Sequence, residues 1–118
     1  MTSQIDVARA YVDALASHDG DSVAFAANAV RYEVGLKTGR SGDHLRRSLN
    51  RGPQYRTIVA IRDFTASVDG DIVHTEYLLD AGVFGRRLVT VRVIEDFEIP
   101  VADLLIHRID AKIRPTRG

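Results

Sequence analysis

Apolar positions in the first third of the chain recur with a helical period. Ile5, Ala8, Val12 and Leu15 fall on one face of a helix that Thr2 or Ser3 can cap and that Asp19-Gly20 ends. Asp21 reads as the N-cap of a short second helix, Ser22 to about Asn28, with Val23, Phe25 and Ala26 on its buried side. From Val30 to Leu36 the pattern turns extended. Gly39, Gly42 and Gly52-Pro53 bracket a third helix, Asp43 to Asn50, in which Leu45 and Leu49 stand one turn apart. After Pro53 the period becomes that of strands: Tyr55 to Val68, Ile72 to about Asp80, Val83 to Ile99 with a break near Gly85, and Leu104 to Ile113. Asp69-Gly70 is a hairpin signal, and Pro100 to Asp103 is a short connection. Helices first and an antiparallel sheet afterwards is the order of an α+β fold, with helices covering one face.

Composition narrows this picture. The 118 residues, 45% of them hydrophobic, suit one domain over 1–118 that can enclose a core and a pocket. Lys plus Arg and Asp plus Glu number 16 each, so no net field draws the chain toward nucleic acid or anionic lipid. The absence of cysteine removes disulfides, thiol catalysis and thiolate metal sites. Asp6 and Arg9 interrupt the N-terminus where a secretory signal needs an apolar run, and no segment approaches the ~20 apolar residues of a membrane span. A cytoplasmic protein with no membrane or nucleic-acid partner is the expectation.

The strongest chemical signal is Glu95. It lies on the strand face that otherwise carries Val89, Val91, Val93, Phe97 and Ile99. A carboxylate buried in such company needs an ion pair, hydrogen bonds or a raised pKa. His107 shares a face with Leu105, Ile109 and Ala111, and a pairing of the last two strands that sets it opposite Glu95, or diagonal to it, brings the two together. Such a pair either settles a buried charge or forms an acid-base couple.

Several segments carry a resemblance. The runs Y-V-D-A-L-A-S-H-D and F-A-A-N-A-V-R-Y-E, R-S-G before a helix, V-x-V-I-E-D-F-E-I and the closing L-L-I-H-R-I resemble the nuclear transport factor 2-like superfamily, most closely its ketosteroid isomerase and SnoaL-like cyclase branches. The resemblance covers nearly the whole chain and implies a cone-shaped α+β fold, with three N-terminal helices packed on a curved antiparallel sheet. It also implies roles: Tyr11 matches the tyrosine that donates to the developing oxyanion, Glu95 its protonated carboxyl partner, and Glu33 the acid that shuttles the proton. Both acids are Glu where the family has Asp, and Arg31 stands where the pattern prefers an apolar residue. The other chemistry associated with this fold, epoxide opening by water between acids and an arginine, finds Tyr77, Leu79 and Ile109 at the positions it needs, which argues against it. Whether a bulge turns Asp80 inward stays open.

Period and resemblance disagree at Glu33. Alternation with Val30, Tyr32 and Val34 points Glu33 away from the apolar face and Tyr32 into the pocket, whereas the resemblance puts Glu33 inside. Taken alone, Tyr11 reads as a core aromatic with its hydroxyl at the rim. Tyr32, Tyr77 and Phe97 are the expected pocket walls. No His or acid spacing fits a metal, and no Gly-rich loop fits a nucleotide, so no cofactor is expected. These residues point to a pocket for a small hydrophobic molecule. An isomerase- or cyclase-like enzyme using acid-base chemistry next to a carbonyl is the first reading, and a noncatalytic binding or dimerisation domain the second. The outer sheet face, with Leu88, Ile94, Leu104 and Ile106, is apolar enough to pair two copies into a homodimer.

Overall fold

Helix α1, Gln4–Ser17, begins with a capping box: Ser3 Oγ accepts from the Asp6 amide at 3.1 Å, and the Ser3 amide donates to the Asp6 carboxylate at 2.9 Å. It ends where His18 turns left-handed at φ 60°. Its buried face is Val7, Ala8, Tyr11, Val12, Ala14 and Leu15, in line with the expected stripe. A computed structural model of the chain describes residues 3–52, 57–83 and 86–116, with residues 83, 87 and 88 described by backbone alone. The pieces of the expected strands at residues 55–56 and 84–85 therefore lie outside the described residues.

After α1 the structure departs from the local pattern. In place of the expected helix from Ser22 to Asn28 there is a single 3-10 turn, Gly20–Ser22, followed by strand β1, Phe25–Glu33. Among the described residues there are two helices and a turn where three helices were expected. The error has a physical cause: β1 carries a bulge between Phe25 and Val30, which buries Phe25, Ala26 and Ala29 in a spacing that imitates a helical face. Its partner, β6, Ile106–Pro115, is distant in sequence and pairs with it in parallel, so nothing local reveals the strand.

Strand β2, Leu36–Gly39, returns along β1 through a turn at Val34 and Gly35, both at positive φ. Helix α2, Gly42–Arg51, is capped by Ser41, which accepts from the His44 amide. Strands β3, Ile58–Asp69, β4, Ile72–Val83, and β5, Arg86–Glu98, then complete a curved sheet in the order β2-β1-β6-β5-β4-β3, antiparallel except at β1 and β6. The helices cover the inner face, α1 against β3 and β4, and α2 against β1. Between them lies the core of Tyr11, Val12, Leu49, Phe97, Ile106 and Ile109.

The outer face is built of ion pairs rather than an apolar seam. His74 meets Asp96 at 2.8 Å, Arg62 meets Asp80 at 2.7 Å, and Arg108 meets Asp110 at 2.8 Å. Ile106, expected on this face, is wholly buried in the core. Ile94 is half-buried with Glu76 and Lys112 opposite it, Leu104 sits in the β5–β6 connection, and the Leu88 side chain lies outside the described residues. Ile106 therefore turns inward, on a strand that enters from a connection in which Leu104 is left-handed at φ 55°.

Gly39 links fold to chemistry. A Cβ there would stand 2.3 Å from Leu45 Cδ2 and 3.1 Å from Arg31 Cβ, so β2, α2 and β1 close only around a missing side chain. Gly39→Ala should lower stability in urea unfolding by about 1–3 kcal/mol through overpacking, with an unchanged slope.

Candidate functional site

Glu95 is fully buried on β5. Its Oε1 accepts the Tyr77 phenol at 2.6 Å, from the adjacent strand β4, and its Oε2 lies 3.5 Å from Arg31 Nη2. Arg31 comes from β1, two strands away, and the register explains how it arrives. Glu33 and Glu95 both pair with Ala111 of the intervening β6, whereas Arg31 pairs with Ile109 one inward-facing row behind. The guanidinium therefore leans over a small residue to stand between two carboxylates, with Glu33 Oε1 at 3.2 Å. Thr38 Oγ1 accepts from Arg31 Nη1 at 2.9 Å and steadies it from β2.

The electrostatics follow from burial. Desolvation raises the Glu95 pKa above its ordinary value, and Arg31 and the Tyr77 hydrogen bond only partly offset this. Burial, with the neighbouring Glu95 and Tyr11, pushes the Tyr77 phenol well above its usual range. Beside this cluster a recess of about 410 Å³ opens, with Leu15, Ile58, Leu79, Val91 and Val93 among its apolar walls and Arg31, Glu33, Thr38 and Tyr77 as polar groups. Glu95 stands behind Arg31 and Tyr77, holding both.

The structure sorts the expected residues. Glu33 and Tyr77 line the recess. Tyr11 is fully buried, edge-on to Phe25 and Phe97, and the Tyr77 hydroxyl bonds Glu95. Phe97 is core. Tyr32 faces outward with the Arg108 guanidinium 4.4 Å over its ring, so the period-two reading that put it in the pocket is corrected. The inward set on β1 is Ala29, Arg31 and Glu33; a charge pair takes the face where apolar residues were sought. The Glu95–His107 pair is also corrected. Ala111 stands opposite Glu95, and His107 Nε2 instead meets Asp103 at 2.7 Å. Asp80 stays on the outer face, held by Arg62 and Thr90. Arg31 is the residue that sequence reasoning missed, and its one signal was a cation at a position expected to be apolar. Among the described residues no cluster of His, Asp and Glu could hold a metal ion.

A helix-covered, curved six-stranded sheet with this recess has the nuclear transport factor 2-like fold. The family described as "Domain of unknown function (DUF8021)" matches residues 2–113, and the chain belongs to it. Similar solved structures include an LEH-like epoxide hydrolase from M. tuberculosis, 23% identical, with a TM-score of 0.75 over 93% of this chain and 81% of that one. A SnoaL-like polyketide cyclase from Shewanella putrefaciens CN-32 is 16% identical, with a TM-score of 0.68 over 97% of this chain and 91% of that one. An NTF-2 like protein of unknown function from Burkholderia xenovorans LB400 is 13% identical, with a TM-score of 0.72 over 98% and 85%. At these identities the likeness is one of fold. Among curated proteins none matches the sequence.

Two outcomes check the site. Because the folded state holds the Glu95 proton more tightly, the unfolded chain releases it first, and stability falls as pH rises from the ordinary value of 4.5 through the raised folded pKa. Glu95→Gln has no such loss, so its melting temperature should climb relative to wild type across that window in thermal scans at successive pH values. Ala111→Leu should block the path of Arg31 and lower stability by roughly 3 kcal/mol, by stranding a buried carboxylate, in denaturant titration.

Proposed function

We propose that this protein is a cofactor-independent acid-base enzyme acting next to a carbonyl in a small, uncharged, apolar substrate. The observation that carries the reading is the Arg31 guanidinium set between Glu33 and Glu95 at the polar end of an apolar recess. A compound entering carbonyl end first brings its oxygen to Arg31 and Tyr77 at the inner end of the recess. Glu33, partly exposed, is then the base that removes the adjacent proton and returns it elsewhere, while Arg31 stabilises the oxyanion. Glu95 is a positioning residue. When ionised it takes the Tyr77 hydrogen bond; when protonated it donates to the Tyr77 oxygen and frees the phenol proton for the substrate. Burial favours the second form.

An arginine between two acids also suits water addition to an epoxide, which is the second reading. Against it, Glu95 is sealed behind Tyr77 and Arg31 rather than open to a water in the recess. The third reading, ligand binding without catalysis, draws support from the Arg31–Glu33 pair itself, because the pair already occupies the carboxylate that would have to reach the substrate proton.

The test is deuterium exchange at the α-carbon of small cyclic ketones in D2O, followed by NMR, with small epoxides assayed in parallel. Wild type should accelerate exchange, and Glu33→Gln should reduce it by about 10²–10⁴-fold while ketone binding persists. Ketone binding with no exchange would leave only the binding reading, and diol formation from epoxides would select the second.

A further inference from the structure

Equal numbers of acidic and basic residues conceal an uneven distribution along the strands. At one end, where α1 starts and Gln4 bonds the Gly70 and Ile99 carbonyls, Asp6, Asp69 and Asp71 are exposed. None of these acids is ion-paired with a described residue. The start of β3, the β1–β2 turn, the end of β4, the start of β5 and the end of β6 all point the other way along the strands, as the pairing directions require. This is the end at which the recess opens. Its exposed cations Lys37, Arg86, Lys112 and Arg114 are likewise in no ion pair with a described residue.

The same end gathers apolar side chains that the core leaves out. Leu36 is 73% exposed, Val34 70%, Val89 52% and Ile113 41%. Leu36 pairs with Glu33 and Ile113 with Val93, so both stand on the face that forms the recess, at its mouth. Apolar tips among exposed cations form the pattern of a surface that inserts shallowly below anionic headgroups. The acidic end, on the opposite side, is repelled by the same surface, so the charge separation orients the mouth toward it.

We propose that the open end of the sheet docks on anionic lipid bilayers, with Val34, Leu36, Val89 and Ile113 entering the interface, Lys37, Arg86, Lys112 and Arg114 meeting the headgroups, and the recess facing the acyl region. Apolar molecules dissolved in the bilayer then reach the recess without crossing water. This supply of ligand rests on the pocket reading above; the docking itself does not.

The experiment is sedimentation of the full chain with vesicles of phosphatidylcholine alone and of phosphatidylcholine with phosphatidylglycerol, in the absence of any ligand. Binding should appear with the anionic vesicles and weaken with salt. Each cation removed should weaken it about fivefold, so Lys37→Ala with Arg114→Ala should lose about twenty-five-fold. Leu36→Asp should weaken it further, and Asp69→Asn with Asp71→Asn, at the far end, should leave binding at wild-type strength or above. All these positions are exposed, and melting curves confirm that each variant folds. Absence of binding to anionic vesicles overturns the proposal, as does binding that the mouth variants leave unchanged. Concentration-dependent self-association abolished by either set of variants also overturns it, in favour of a head-to-tail contact between copies. Ketone binding in vesicle-free solution reports on the recess separately, so either reading can fail alone.

Discussion

The buried meeting of Arg31 with Glu95 is the constraint around which the inner face is arranged. Removing a carboxylate and a guanidinium from water is expensive, and a buried pair of this kind often adds no net stability over apolar residues of similar volume. Its cost is limited here by hydrogen bonds from Tyr77 and to Thr38, and by the half-exposed Glu33, which shares the guanidinium. The five groups come from four strands, so the cluster joins β1, β2, β4 and β5 over the top of β6. Two small residues make room for it: Ala111 beneath the guanidinium, and Gly39, where a Cβ would strike Leu45 and crowd Arg31. Apolar residues could close this space with less expense. Holding the sheet together does not by itself account for charges at that wall, and the acid-base reading proposed above draws on this.

The polarity of that wall narrows what can enter. With Glu95 protonated, Arg31 and Glu33 cancel, and a neutral ligand meets a balanced pair of donor and acceptor. With Glu95 ionised, the cluster carries an excess negative charge and turns carboxylate ligands away. The ionised state disfavours anions, and the neutral state suits the neutral, largely apolar carbonyl compound proposed above.

Local pattern revealed some of this and could not reveal the rest. The α1 stripe, its Ser3 cap, the Asp69-Gly70 hairpin and the inward Glu95 were legible, because each depends on residues a few positions apart. β1 was misread because its bulge and its parallel partner are non-local facts. Glu95 was seen as an anomaly, but its partner was sought at His107. The choice depends on register: the connection through Leu104 starts β6 at Ile106, with Ala111 opposite Glu95. A shift of a few residues along one strand exchanges one partner for another without changing the hydrophobic pattern. Arg31 escaped for a related reason. Its own strand was only partly recognised, and a cation on an inner face has meaning only once the two acids across the sheet are known.

The recess itself follows from lengths. α1 has 14 residues, about 21 Å at a helical rise, whereas β4 has 12, about 40 Å when extended. Gln4 pins the start of the helix to the end of the sheet marked by Gly70 and Ile99. The helix therefore runs out about halfway along the strands, at Leu15, and His18 turns the chain away. Where α1 covers the inner face, Val73, Phe97 and Ile99 form close-packed core; beyond it, Leu79, Val91 and Val93 on the same strands line the recess. One face of one sheet is thus core at one end and recess at the other, and the boundary falls at the rows that hold Tyr77, Glu95 and Arg31. Charges placed deeper would have been sealed in without access, and charges placed farther out would have been hydrated and ordinary in their titration. Their position at the end of the helix gives them both burial and an approach.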